Sequence, residues 1–187
     1  MLLMTIKITT THMLQCLHII SWIIFIGLCI DAGGYLTNTI YALAVNSHIA
    51  ENFWTKINFE SLLNYSSNHF AVVTFYMTTV AVLKAVLFYL IIKLFDEKKI
   101  DLKQPFNKEM AKFISNISYI CILIGLFSLG GRNYTNWIEL QNVFMPNFEQ
   151  LNLGGADVWI FMGIVLLVLA QIFKRGIEIQ QENELTI

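Results

Sequence analysis

Four apolar runs decide what this chain can become. Residues 13–31, 69–95, 113–131 and 157–173 each come close to the ~20 residues that a helix rising ~1.5 Å per residue needs to cross hydrocarbon. A bilayer satisfies backbone polar groups only in helices or closed barrels, and continuous apolar runs of this length read as helices. The balance of residues agrees, with 56% hydrophobic, 13% charged and a mean hydropathy of +0.61, where an ordinary soluble domain is about a quarter charged. The expected fold class is all-α: a polytopic membrane protein with four transmembrane helices, arranged as two helical hairpins in one integral membrane domain over 1–187.

The charges set the expected orientation. Lys93, Lys98, Lys99, Lys103, Lys108 and Lys112 lie between the second and third runs and make up half of the 12 Lys and Arg. The N-terminal arm adds Lys7 and the tail Lys174 and Arg175, against only Lys56 and Arg132 in the other two connections. The positive-inside rule then puts both termini, the loop 96–112 and the tail 174–187 in the cytoplasm, with 32–68 and 132–156 exported. Lys7 ahead of an apolar run resembles a signal peptide, but the run is long and no A-x-A site follows, so a retained anchor is expected. The location expected is a cell membrane, crossed several times.

Within the first exported segment the chain is polar but keeps Phe53, Trp54, Ile57, Phe59, Leu62 and Leu63. The second carries Tyr134, Trp137, Phe144, Phe148 and Pro146. Aromatic residues beside polar ones suit a headgroup interface. A repeat is faintly visible. Ile26-Gly27-Leu28 followed by Gly33-Gly34-Tyr35 and Thr37-Asn38 echoes Ile124-Gly125-Leu126 followed by Gly130-Gly131, Tyr134 and Thr135-Asn136. Chance similarity in glycine-bearing apolar sequence is the competing account.

Lys84 is the sharpest candidate for function, because an ionisable group inside a span is costly. Measured from His69 it falls in the cytoplasmic half, and the favoured reading lets it snorkel to the inner interface. Asp31, Arg132 and Asp157 fall at the outer ends of three spans, either as an ion-pair cluster or as solvated helix ends. The four histidines share no HxxxH spacing, and Cys16, Cys29 and Cys121 form no CxxC, so no metal, haem or other cofactor is expected. The pattern lacks a glycine-rich phosphate loop, a GxSxG and paired intramembrane carboxylates, which points away from an enzyme. The one basic cluster sits at a membrane face, so direct contact with nucleic acid is not expected. Gly125, Gly130, Gly131 and Gly163 read as sites of close helix packing.

In the middle loop, Pro105 ends any helix leaving the second span, and Asn107 is placed to cap a new one beginning Lys108-Glu109-Met110. The tail is acidic where the loop is basic, with Glu178, Glu182 and Glu184. At these two stretches the chain resembles a bacterial family of small four-helix membrane proteins, domain of unknown function 2975. The resemblance rests on Pro105-Phe106 and on the closing pattern Phe173-Lys174-Arg175-Gly176 through Glu182-Asn183-Glu184-Leu185-Thr186-Ile187. It runs from about His69 to the end and leaves the first exported loop outside. It implies a bacterial cytoplasmic membrane and, through small helix-turn-helix regulators encoded beside such proteins, a cytosolic DNA-binding partner. The candidate partner surface is Pro105, Phe106, Phe173, Gly176, Glu182, Asn183, Leu185 and Thr186. The alternative expectation is a carrier or receptor for a small apolar or lipid-like ligand between the hairpins, at Lys84, Asp31, Arg132 and Asp157. A homo-oligomer is compatible with either.

Overall fold

The computed structural model describes residues 10–96 and 107–184. Among these residues five α-helices follow in order: α1 (Thr10–Ala44), α2 (Glu60–Tyr65), α3 (Ser67–Asp96), α4 (Lys108–Glu139) and α5 (Ala156–Glu184), with short 3₁₀ turns at Ser47–Asn52 and Trp54–Lys56. Four of them, all but α2, are long and apolar enough to cross a membrane. The chain is all-α, as expected.

The long helices pair as two antiparallel hairpins. In the first, Phe25 of α1 meets Tyr89 of α3, and further along His18 meets Phe95. In the second, Gly125 of α4 lies against Ile160 of α5, and Gly163 of α5 against Ile122 of α4. The hairpins join along α3 and α4, where Tyr76 packs on Gly130 and Gly131. Among the described residues, α1 packs on neither α4 nor α5. One helical seam therefore carries the contact between the halves.

The helices outrun the apolar segments that signalled them. α1 continues past Asp31 to Ala44 because its polar residues are satisfied locally: Thr37, Asn38 and Thr39 each donate to the carbonyl four residues earlier, at 2.8, 2.8 and 2.7 Å. Such groups need no loop to find partners. α4 likewise runs through Arg132 to Glu139. The connections are thus 45–66 and 140–155, shorter than the expected 32–68 and 132–156. The end of the bundle carrying them is called the loop end below, and the opposite end, where α1 begins and α5 finishes, the terminal end.

At the loop end the chain builds a protein core. Phe53, Phe59 and Phe70 are wholly buried and pack edge to face at centroid distances of 5.1, 5.8 and 5.7 Å, while Tyr35 stacks on Phe53. Leu62 and Ile57 join them. This corrects the headgroup-interface reading for the first connection: its apolar residues bury against α1 and α3. Alternation of aromatic and polar residues looks alike in both settings. A tight turn holds the segment, with Phe53 and Ile57 exchanging backbone hydrogen bonds of 2.9 and 3.1 Å around left-handed Thr55 and Lys56.

Close packing in the second hairpin depends on glycine. A Cβ at Gly125 would lie 2.9 Å from the Ala156 carbonyl oxygen, and one at Gly163 2.9 Å from that of Ser118. Small residues let membrane helices approach this closely. The repeat keeps one constant spacing for Gly27 and Gly125, Gly33 and Gly131, and Thr37-Asn38 and Thr135-Asn136. In both copies the threonine hydroxyl donates to the glycine carbonyl four residues back, at 2.8 and 3.1 Å. The copies differ in packing, since nothing lies within 4 Å of a Cβ at Gly27.

Candidate functional site

Lys84 is the one charged residue in the interior of α3. Helical side chains lean toward their own N-terminus, which for α3 is the loop end. The Lys84 ammonium follows that lean: Nζ donates to the Asn152 carbonyl oxygen at 3.2 Å and lies 5.9 Å from the Trp159 ring centroid. The expected inward snorkelling is therefore corrected. Depth was counted from His69, but the first turns of α3 are part of the loop-end core, where Phe70, Val73 and Met77 are buried. Lys84 sits nearer that end than the count suggests, half-buried beneath the 140–155 connection.

Asn152 is the hub of the site. Its φ of 57° is left-handed, a conformation that asparagine tolerates better than most residues. While its carbonyl receives Lys84, its amide Nδ2 donates to the Tyr35 hydroxyl at 2.6 Å. Tyr35 is 1% exposed. One loop residue of the second hairpin thus holds both helices of the first.

The other connection comes down on the same stretch of α1. Trp54 lies flat against Gly34, where a Cβ would meet the indole ring, and its Nε1–H donates to Asp31 Oδ1 at 3.0 Å. The Asp31 carboxylate acts electrostatically on both Lys84 and Tyr35. No salt bridge joins Asp31 to Lys84. In a region of low dielectric, opposite charges attract across such a gap.

Of the four charged candidates, Lys84 and Asp31 are each held by residues of the loop-end connections, Lys84 by Asn152 and Asp31 by Trp54, and the other two lie elsewhere. Arg132 is exposed, its guanidinium 5.4 Å from the Phe148 ring, and Asp157 is exposed in the first turn of α5. Asp31, Arg132 and Asp157 form no ion pair with one another, and since α1 and α4 run on past Asp31 and Arg132, neither of those two is a helix end. Tyr35, Trp54, Asn152 and Trp159 complete the site and were not signalled by sequence. The turn composition of Asn152-Leu153-Gly154-Gly155 was the one available hint. Among the described residues no group of three His, Cys, Asp or Glu converges for a metal. The three cysteines are free; Cys121 is buried, whereas Cys16 and Cys29 are exposed on α1 rather than packed.

A second polar region occupies the terminal end. Asn107 caps α4, its Oδ1 accepting the Met110 N–H at 2.8 Å. Lys108 and Lys112 of α4 face Lys174 and Glu178 of α5 across a groove of about 440 Å³. A groove of about 340 Å³ between α3 and α4 adds Lys93 and Phe113. Two of the loop lysines, Lys108 and Lys112, thereby lie beside the start of the tail. His18 Nε2 lies 3.1 Å from Asp96 Oδ1 and closes α1 on α3 there. Phe173 and Gly176 are half-buried on α5, Glu182 is exposed, and Asn183 lies in the last turn. Pro105, Phe106, Leu185 and Thr186 lie outside the described residues.

Residues 46–187 match the family described as "Protein of unknown function (DUF2975)". No curated protein and no solved structure matches the chain. The match begins well before His69, so the 45–66 connection, with Trp54 and its aromatic core, is part of the shared region, and of the described helices only α1 precedes it. Apolar helices able to cross a membrane four times, a capped entry to α4, and a match covering most of the length lead to one assignment: the chain belongs to the DUF2975 family.

Proposed function

We propose that this protein is a non-enzymatic component of the bacterial cytoplasmic membrane that holds a cytosolic helix-turn-helix regulator at its terminal end. The observation that supports this reading is the course of α5. The helix does not stop with its apolar run near Phe173 but continues through Glu184, projecting Arg175, Ile179 and Glu182 along one face. A DNA-binding protein carries a basic surface, and an acidic helical projection with Glu178, Glu182 and Glu184 is complementary to it. Docking there would compete with DNA for the regulator. The gathering of lysines at this end supports a cytoplasmic side for it under the positive-inside rule. The test is co-purification of the full chain with a small helix-turn-helix regulator of the kind that the family resemblance implies. Deletion of 176–187 is expected to abolish capture, and undiminished capture rejects the proposal.

A second reading, a carrier or receptor for a small lipid-like ligand between the hairpins, is favoured by the inward turn of Lys84 toward Asn152 and Trp159. An ammonium beside an indole in a water-poor setting suits the polar head of an amphiphile. If Lys84→Met leaves the stabilisation by added lipids unchanged, Lys84 leaves that pocket.

A further inference from the structure

The α4–α5 groove at the terminal end is a built concavity with unbalanced charge. On α4, Lys108, Ala111 and Lys112 line it, and on α5, Lys174, Ile177 and Glu178, around about 440 Å³. The spacing on each helix is i, i+3, i+4, one face of a helix. Each wall is therefore a single rigid helical surface. Among the described residues Glu178 is the only carboxylate in the lining, and its Oε2 accepts from Arg175 Nη1 at 2.8 Å. Among the described residues, Lys108, Lys112 and Lys174 take part in no salt bridge. Three ammonium groups around one hollow repel one another unless an anion enters.

Position says which anion. Lys112 immediately precedes the apolar run that starts at Phe113, and Lys174 follows the one that ends at Phe173. The groove therefore lies where hydrocarbon gives way to headgroups. Its floor is apolar, with Ala111 buried and Ile177 half-buried. We infer that this groove binds the phosphate of an anionic glycerophospholipid, with Lys108, Lys112 and Lys174 around the phosphate and the glycerol on Ala111 and Ile177. Basic pockets between membrane helices suit such headgroups. The inference does not rest on the regulator reading: that reading takes the acidic projection with Glu178, Glu182 and Glu184, whereas this one takes Lys108, Lys112 and Lys174, and Glu178 borders both.

The experiment is native mass spectrometry of the detergent-purified full chain with phosphatidylglycerol or phosphatidylcholine of identical acyl chains. Phosphatidylglycerol is expected to be retained in preference. Lys174→Gln should lower its retention roughly fivefold, the effect of one cation near an anionic surface, while Lys174→Arg keeps it. Lys56→Gln makes the same charge change at the loop end and should leave retention unaltered. Should Lys174→Gln fail to fold, Lys108→Gln, exposed in the first turn of α4, gives the same reading. Equal retention of the two lipids overturns the inference, as does an equal loss in Lys56→Gln. Displacement of phosphatidylglycerol by equimolar inorganic phosphate would make this a free-phosphate site and likewise overturn the lipid assignment.

Discussion

The Lys84 ammonium reaches the Asn152 carbonyl at 3.2 Å across 68 residues of chain. Among the described residues, helix packing between the hairpins runs along α3 and α4, so this bond is a second tie, made through the 140–155 connection. Its partners extend it to Tyr35 of α1, which makes three segments meet at one loop residue.

Severing the tie should loosen the loop before it loosens the helices. In Lys84→Met, hydrogen exchange across 147–154 is expected to accelerate while 50–59 stays protected. Global stability is a poor readout here, because removing a buried charge offsets the lost bond. Unchanged exchange at 147–154 would show that the connection is held by packing alone.

Asn152 separates two effects by magnitude. Ala at this position loses the amide bond to Tyr35 and also faces the left-handed φ of 57°, together about 2 kcal/mol. Gly loses the same bond without the conformational strain, so Asn152→Gly should be the milder substitution by about 1 kcal/mol. Thermal unfolding followed by thiol reactivity of the buried Cys121, with Cys16 and Cys29 replaced by Ser, measures both.

The two hairpins should respond oppositely to an added methyl group. Gly125→Ala or Gly163→Ala must push α4 from α5, since each Cβ would lie 2.9 Å from a carbonyl oxygen; about 1–3 kcal/mol of destabilisation is expected. Gly27→Ala meets nothing within 4 Å and should be neutral or gain up to about 1 kcal/mol from helix propensity. The same Cys121 assay compares them.

Gly34 makes room for an indole. A methyl there collides with the Trp54 ring, so Gly34→Ala should expel Trp54 and break its bond to Asp31. With Trp22, Trp137 and Trp159 replaced by Phe, the Trp54 emission is expected to shift to the red. Emission that stays unshifted would mean that α1 moves instead.

Orientation can be read by labelling from one side. In a background lacking Cys16 and Cys29, Lys56→Cys should react with an impermeant maleimide on intact cells, and Lys174→Cys only after permeabilisation. The reverse pattern would place the termini outside.

Much of the fold was legible because bilayer thickness and helix rise leave little freedom. The apolar run 69–95 became Ser67–Asp96, and Asn107 caps α4 as its side-chain chemistry implies. Boundaries at the loop end were less legible. Gly33-Gly34 with Thr37 and Asn38 resembles a stop, yet those side chains bond back to the helix and Gly34 serves as a seat for Trp54. Glycine marks a turn and a close approach with the same letter. Of the site, Lys84 and Asp31 stood out by charge, while Tyr35, Trp54, Asn152 and Trp159 are ordinary residues made specific by position.

What the sequence determined alone is the set of apolar helices, their order and the side of the chain where lysines gather, since each depends on local composition against a slab of fixed thickness. Tertiary structure decided where Lys84 points, that the first connection buries its aromatics in protein, and that both connections meet on residues 31–35 of α1. Those outcomes rest on partners 23, 68 and 117 residues away. Composition has no access to such distances, and only packed helices bring them within hydrogen-bond reach.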